Sequence, residues 1–253
     1  MMSLGYKDFA SRNPGARLGP VVAVIASYME ADNIGAVLDA MPASVAVLDV
    51  TTLVVVDGGE DGTEQIVGSH GALCAVLPVN MGQGVALRLG YQIALRNGAR
   101  YVVTLDADGQ NDPREIPQLL DPILSDKADF VIASRRLGRD ETTDRFRQAG
   151  VRLFSLVVNR LTHQNLTDTS NGFRALRIEV LADVTLEQDQ YQTAELIISA
   201  AARGWRLAEC PTVWHPRASG TSKKGHNLLF GARYAMVVAR TWWRERRALP
   251  ERA

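Results

Sequence analysis

Two aspartates one residue apart, Asp106 and Asp108, follow an apolar run at 101–105 and precede Gly109 and Gln110. In extended chain such side chains point the same way, and two carboxylates held close repel unless a cation lies between them. Oxygen donors of this kind suit Mg²⁺ or Mn²⁺, ions that also bridge a diphosphate. An Asp-X-Asp is equally at home in a capping turn; its place at a strand end is what favours the ion. A further acid, Asp57, follows the run 53–56 and is itself followed by Gly58 and Gly59. It reads either as part of a tight turn from strand to helix, or as the acceptor for a nucleotide base or ribose, with the glycines allowing close approach. There is no G-x-x-x-x-G-K-[ST] loop, and no G-x-G-x-x-G follows the first strand, so kinase and dinucleotide readings lose support.

These acids need strand ends to bring them together. Short β-branched runs alternate with helical stretches from residue 21 onward, the pattern of βαβ units and a largely parallel sheet. Strands are expected at 21–26, 53–56, 72–77, 101–105 and 130–133, with helices at 31–41, 83–97 and 113–125. An amphipathic helix at 147–161 follows, then an element at 172–176, a helix at 193–203, a strand at 205–210 and a Gly/Ser/Lys-rich loop at 216–225. Ligands of open parallel sheets bind outside the carboxyl ends of the strands. Ser27, Tyr28 and Glu30 after the first strand therefore share a crevice with Asp57 and Asp106. One unit spanning 21–225 is expected, preceded by a loose arm at 1–20 and followed by an amphipathic helix and tail at 226–253.

Lys plus Arg at 28 against Asp plus Glu at 28 excludes a protein that coats nucleic acid by bulk charge, so any anion site is local. A chain 46% hydrophobic and 22% charged is not disordered. Cys74 and Cys210 lie in apolar runs and read as buried reduced thiols of a cytoplasmic protein. The first residues lack an apolar stretch of signal-peptide type, and no run reaches the roughly 20 apolar residues of a membrane span. Near the C-terminus, Leu229, Ala232, Met236, Ala239 and Trp243 share one helical face flanked by Arg233, Arg240, Arg244 and Arg247. That helix reads as a closing element packed on the domain, as an interfacial helix on anionic lipid, or as a homodimer seam.

The motifs occur in a familiar order: Val24-Ile25-Ala26-Ser27-Tyr28-Met29-Glu30, Val55-Val56-Asp57-Gly58-Gly59-Glu60-Asp61-Gly62-Thr63, Asn80-Met81-Gly82-Gln83-Gly84 and Leu105-Asp106-Ala107-Asp108-Gly109-Gln110. Asp168-Thr169-Ser170-Asn171-Gly172-Phe173-Arg174 and Arg217-Ala218-Ser219-Gly220-Thr221-Ser222-Lys223 complete the set. The chain resembles glycosyltransferase family 2, and within it the dolichyl- or polyprenyl-phosphate sugar transferases. The resemblance implies an α/β, nucleotide-sugar-binding (glycosyltransferase A-type) Rossmann-like fold with a mixed, mostly parallel sheet. It implies an inverting enzyme that moves a sugar from a UDP- or GDP-sugar donor, with Mg²⁺ or Mn²⁺, to polyprenyl phosphate, working in the cytoplasm at the inner face of the membrane. By motif match, Ser27, Tyr28, Glu30 and Asp57 would line the nucleoside pocket, and Asp106, Asp108 and Gln110 would hold metal and diphosphate. Arg135 resembles the family arginine near the donor phosphates; Arg147, Arg217 and Lys223 resemble the basic groups that meet donor or acceptor phosphate.

The chain departs from the family pattern at Ala26, Met29, Val56 and Gln83, where Pro, Asn, Asp and Lys are common. Gln83 removes a positive charge beside the donor, and Val56 removes one nucleoside contact. An acceptor that is already a phosphate anion needs no strong base, whereas a hydroxyl does. Asp168 and Glu195 are the acids that could be drawn near an acceptor; the alternatives are loop bracing for Asp168 and a solvated helix position for Glu195. His163 and His215 are given no role. Two rival readings are transfer to a soluble hydroxyl acceptor, such as a secondary metabolite, and a non-catalytic nucleotide-sugar-binding module.

Overall fold

The computed structural model describes residues 2–142, 145–217 and 228–248. The chain runs α1 (Met2–Arg12), β1 (Val21–Ser27), α2 (Ala31–Asp39), β2 (Ser44–Val45), β3 (Leu48–Asp57), α3 (Thr63–Ser69), β4 (Leu73–Leu77), α4 (Gln83–Arg96) and β5 (Tyr101–Asp106). It continues with a 3₁₀ turn (Pro113–Glu115), α5 (Ile116–Leu124), β6 (Phe130–Asp140), α6 (Arg145–Thr162), β7 (Arg174–Arg177), α7 (Ile178–Asp183), α8 (Gln192–Ala202), β8 (Leu207–Trp214) and α9 (Leu228–Ala248).

One eight-stranded sheet runs β2-β3-β1-β5-β7-β6-β8, with β4 beside the second half of β3. All long strands are parallel except β7, which lies antiparallel between β5 and β6. The sheet is mixed and mostly parallel, as expected. Side chains alternate across a strand, so β1 sends Val22 and Val24 to one face and Val21, Ala23 and Ile25 to the other. The first set joins a core with α4 and α8, including Leu89 and Leu196; the second joins a core with α2 and α5, including Ile34 and Leu119. Cys74 and Cys210 are buried free thiols in β4 and β8, at opposite ends of the sheet.

Besides the short β2 and α7, which the sequence did not suggest, α1, β6 and β8 depart from the expected layout. Residues 2–12 form a helix, not a loose arm: Phe9 is buried against β4 and α4, and Asp8 and Asn13 receive hydrogen bonds from the β4 amides of Val76 and Cys74 (2.7 and 3.3 Å). An exposed strand edge is a liability that folds cover, and the polar groups of α1 do that here. Strand β6 continues to Asp140, well past the apolar run, because β8 pairs with its polar half across an irregularity between Ser134 and Arg139. Pro211 is accommodated within β8 because that strand is at the sheet edge.

The C-terminal helix packs on α8 through Tyr234, Val237, Val238, Thr241 and Glu245, all buried. The apolar stripe read from the sequence lies on the other side. Met236 and Trp243 are exposed, Trp243 by 57%, and Ala232, Ala239, Arg233, Arg240 and Arg247 share that exposure. On α6, Leu153, Leu156 and Val157 are exposed as well, and Phe154 stacks on Tyr234 of α9 with ring centroids 4.1 Å apart.

Candidate active site

The carboxyl ends of β1, β3 and β5 meet at one end of the sheet. Behind β1 the chain turns through Met29, whose φ of 52° is unusual for a side chain of that size, into α2. The free N–H of Ala31 at the start of that helix donates to Asp61 Oδ2 (3.0 Å), which also accepts from the Thr63 hydroxyl. Burial opposes the charge of Asp61, but these bonds outweigh it and hold the carboxyl below its usual range. Glu30 is buried, with Oε2 accepting from Asn33 Nδ2 (2.7 Å) and Oε1 facing Arg217. Ser27 is buried too, and its hydroxyl has no hydrogen-bond partner, an orphaned polar atom at the end of β1.

Asp57 is buried as well. Its Oδ1 accepts from the N–H of Met81 and its Oδ2 from that of Gly82, both at 2.8 Å, so the carboxylate ties the end of β3 to the start of α4. Burial pushes the Asp57 pKa up, with the two amide bonds acting against it and the charge of Asp189 adding to it. Gly58 has φ +72°, and a Cβ there would lie 2.6 Å from the backbone of Val79 and Asn80. The Asp-Gly turn therefore serves close chain-to-chain packing. Val56, where the family carries an acid, is buried in the apolar core beneath α2 and α3.

At the end of β5, Asp106 accepts from Gln83 Nε2 (2.7 Å), and Gly172 leaves the other side open: a Cβ there would be 3.1 Å from Asp106 Oδ1. Asp108 Oδ1 accepts from the N–H of Gln110 (3.1 Å), closing a turn, and its Oδ2 accepts from Arg217 Nη2 (2.7 Å). Arg217 Nη1 donates to Glu30 Oε1 (2.9 Å), so one guanidinium links the ends of β1 and β5. No cluster of three or more His, Cys, Asp or Glu capable of holding a metal occurs among the described residues. Asp106 and Asp108 nevertheless fit a hard cation that takes one or two carboxylates and completes its shell from phosphate oxygens and water. The Gln110 side chain is held beside them: its Nε2 donates to the His215 backbone carbonyl (3.2 Å), while the Gln110 backbone carbonyl accepts from the His215 N–H (2.9 Å). These two bonds staple the end of β5 to the residue that follows β8, 105 residues away in the chain.

The two acids weighed as bases are both spoken for. Asp168 is fully buried; its carboxylate accepts from Arg135 Nε (2.6 Å) and Nη2 (3.2 Å) and from the N–H and hydroxyl of Ser170. Arg135 is 5% exposed and lies 4.5 Å from the centroid of Trp214. Glu195 is not a solvated helix acid. It is wholly buried, accepting from the amides of Glu187 and Gln188 and from Arg244 Nη1 (2.9 Å). The Arg135 side chain also borders a cavity of about 270 Å³ with Arg136, Asp140, Gln148, Val151 and Arg152. Arg147 belongs to α6, with its side chain outside the described residues, as is all of Lys223.

Sequence reasoning gave no role to Asp61, Asn33 or Trp214, and read Arg244 as flanking the apolar face of the C-terminal helix, not as the partner of Glu195. Asp61 carried a signal, an acid two residues before the helix-opening Thr63, and Asn33 lies one helical turn from its partner Glu30; Trp214 and Arg244 act through partners distant in the chain.

Residues 22–185 match the family described as Glycosyl transferase family 2. A dolichyl-phosphate hexose transferase of Haloferax volcanii is 32% identical over 78% of this chain and 84% of its own. An undecaprenyl-phosphate mannosyltransferase of Micrococcus luteus is 29% identical over 88% of this chain and 93% of its own. Among solved structures, the glucosyl-3-phosphoglycerate synthase of Mycobacterium tuberculosis, crystallised with Mn²⁺, UDP-glucose and phosphoglyceric acid, superposes with a TM-score of 0.70 at 17% identity. The match covers 97% of this chain and 85% of that one.

Proposed function

The chain belongs to glycosyl transferase family 2, and from that premise we propose that it transfers a sugar from a UDP- or GDP-sugar to a lipid-linked phosphate of the polyprenyl class. The observation that carries the choice of acceptor is the state of the two candidate bases. Asp168 and Glu195 are buried and ion-paired, so neither is poised to take a proton from a hydroxyl. A phosphate monoester arrives already ionised and can attack the anomeric carbon without one. The names of the relatives in Haloferax and Micrococcus point the same way.

In this reading, Ser27, Tyr28 and Glu30 face the nucleoside, and the unpartnered Ser27 hydroxyl is available to a ribose or base. Asp106 and Asp108 would hold Mg²⁺ or Mn²⁺, the ion bound by the structural relative; when bound, it supplies Lewis-acid stabilisation of the departing diphosphate. Arg217 is poised beside the same charge and can follow the diphosphate from Asp108. Arg135 and Asp168 act as a positioning pair that fixes the loop carrying Ser170. Gln83 keeps a hydrogen bond to Asp106 where a lysine would bring charge. The outward apolar and basic faces of α6 and α9 suit an anionic membrane surface, from which a lipid phosphate would be presented. Among the described residues no helix is long and apolar enough to cross a membrane.

Calorimetric titration with UDP, GDP and their sugar conjugates, with and without Mn²⁺, selects the donor. Binding that needs the metal and is lost in Asp108→Asn is expected; metal-independent binding unchanged in that variant would overturn the metal assignment. The selected donor is then offered to the protein with polyprenyl phosphate or with the free polyprenol. Sugar should appear only on the phosphate, whereas transfer to the alcohol or to soluble hydroxyl acceptors alone would overturn the acceptor assignment.

A further inference from the structure

We propose that Glu195 and Arg244 are positioning residues for the donor site, which makes the C-terminal helix α9 a working part of that site; the inference rests on the transferase reading above. Arg244 on α9 donates to Glu195 on α8, to Glu187 Oε2 (3.0 Å) and to the carbonyl of Thr185 (2.6 Å). Glu195 in turn accepts the N–H groups of Glu187 (2.9 Å) and Gln188 (3.0 Å). The segment 185–188 is thus held by one carboxylate and one guanidinium, both drawn from helices behind it.

What that segment holds is the start of α4. The Gly84 N–H donates to the carbonyl of Asp189 (2.8 Å), and Gln192 Nε2 donates to the carbonyl of Gly84 (3.1 Å). Arg88 donates to the Gln188 carbonyl (2.6 Å) and pairs with Asp189 (2.5 Å). The approach is close enough that a Cβ on Gly82 would lie 2.7 Å from the Asp189 carbonyl oxygen, and one on Gly84 would fall on that of Gln188. Between these glycines sits Gln83, bonded to Asp106, and Asp57 holds the amides of Met81 and of Gly82 itself. A continuous set of polar contacts therefore runs from Arg244 through Glu195, the 187–189 segment and residues 82–84 to Asp106. A buried carboxylate that satisfies two backbone amides fixes their position tightly, because leaving them unpaired is costly. Glu195 touches no donor atom in this scheme; it acts through the register of residues 81–84.

The test perturbs the route from both ends. Glu195→Gln removes the charge that binds Arg244, and Arg88→Met loosens the same segment from its accessible side without touching the buried pair. Asp129→Asn breaks a comparable pair with Arg206 at the opposite end of the sheet and is the control. Glu195→Gln and Arg88→Met should each weaken metal-dependent nucleotide binding about tenfold, the middle of the range for coupling between linked sites. They should also raise KM for the donor, leave KM for the lipid phosphate as it is, and speed hydrogen exchange of the 81–84 amides. Asp129→Asn should change none of these. Should Glu195→Gln fail to fold, Arg88→Met carries the test. Nucleotide affinity and 81–84 exchange that match the wild type in the folded variants would overturn the proposal. If the wild type binds no nucleotide, the transferase reading fails, while the exchange measurement still decides the positioning role.

Discussion

Arg135 and Asp168 bring opposite full charges to positions 5% and 0% exposed, so each depends on the other for its solvation. Three further features share the load: the Ser170 hydroxyl and amide on Asp168, the Ser170 oxygen on Arg135 Nη2, and the ring of Trp214 against the guanidinium. Removing one member of a buried pair leaves an uncompensated charge and costs about 3–5 kcal/mol, far more than the pair contributes net. Asp168→Asn should therefore lower the free energy of unfolding by about 3 kcal/mol or more in urea titration. A general base would behave otherwise, losing kcat while keeping wild-type stability. Arg217 has the opposite character: half-buried, it shares its charge between Glu30 and Asp108, a pattern that a cation or diphosphate arriving at Asp108 can rearrange. Chemical type made both arginines visible in the sequence. Which of them is locked and which is available was not visible, because burial and pairing partners lie 33 and 109 residues away.

At the scale of elements, α1 shows how a short polar-looking segment becomes part of the fold. Its pattern is weak, with glycine at position 5 and its apolar residues Met2, Leu4, Tyr6, Phe9 and Ala10 not all on one face, so it reads as an arm. Docking decides otherwise: Gly5 packs on Leu89, Phe9 is buried, and Asp8 and Asn13 satisfy the edge of β4. Phe→Ala at well-packed positions costs about 3–5 kcal/mol. Phe9→Ala should lower stability by about 3 kcal/mol, measured by the urea midpoint at constant slope; an unchanged midpoint would mean that α1 is detached in solution. The C-terminal helix teaches the converse. Its most evident apolar stripe is exposed, and its buried side is a mixture of Tyr234, Val237, Val238, Thr241 and Glu245 that no hydrophobicity count would choose. Glu245 is tolerated there because Ser199, Arg203 and Arg244 surround it.

Over the whole molecule, α6 and α9 both pack on α8 and meet through the Phe154 and Tyr234 stack. The exposed Trp243 and Met236 of α9, with Arg240 and Arg247, and the exposed Leu153, Leu156 and Val157 of α6, with Arg152, are faces with the composition of an interfacial contact. Combining Trp243→Ala with Leu156→Asp should weaken sedimentation with anionic vesicles by about tenfold, or about 1.4 kcal/mol, and leave nucleotide binding intact. Vesicle binding equal to the wild type would remove the membrane role from this face, and loss of a dimer on sedimentation of the same variant would give the face to a second copy.

The sequence by itself determined the layered α/β class, the positions of the parallel strands and the acids at their ends, because period-2 burial and strand-end placement are local consequences of residue order. It also carried the family, through motifs that recur in fixed order. Tertiary structure alone decided that Asp57 holds the amides of Met81 and Gly82, that Gln110 bonds to His215, that Asp168 and Glu195 are paired and buried, and that the stripe of α9 faces outward. Each of these depends on a partner remote in the chain, and the environment of a charged side chain is set by what the fold brings to it, not by its neighbours in sequence.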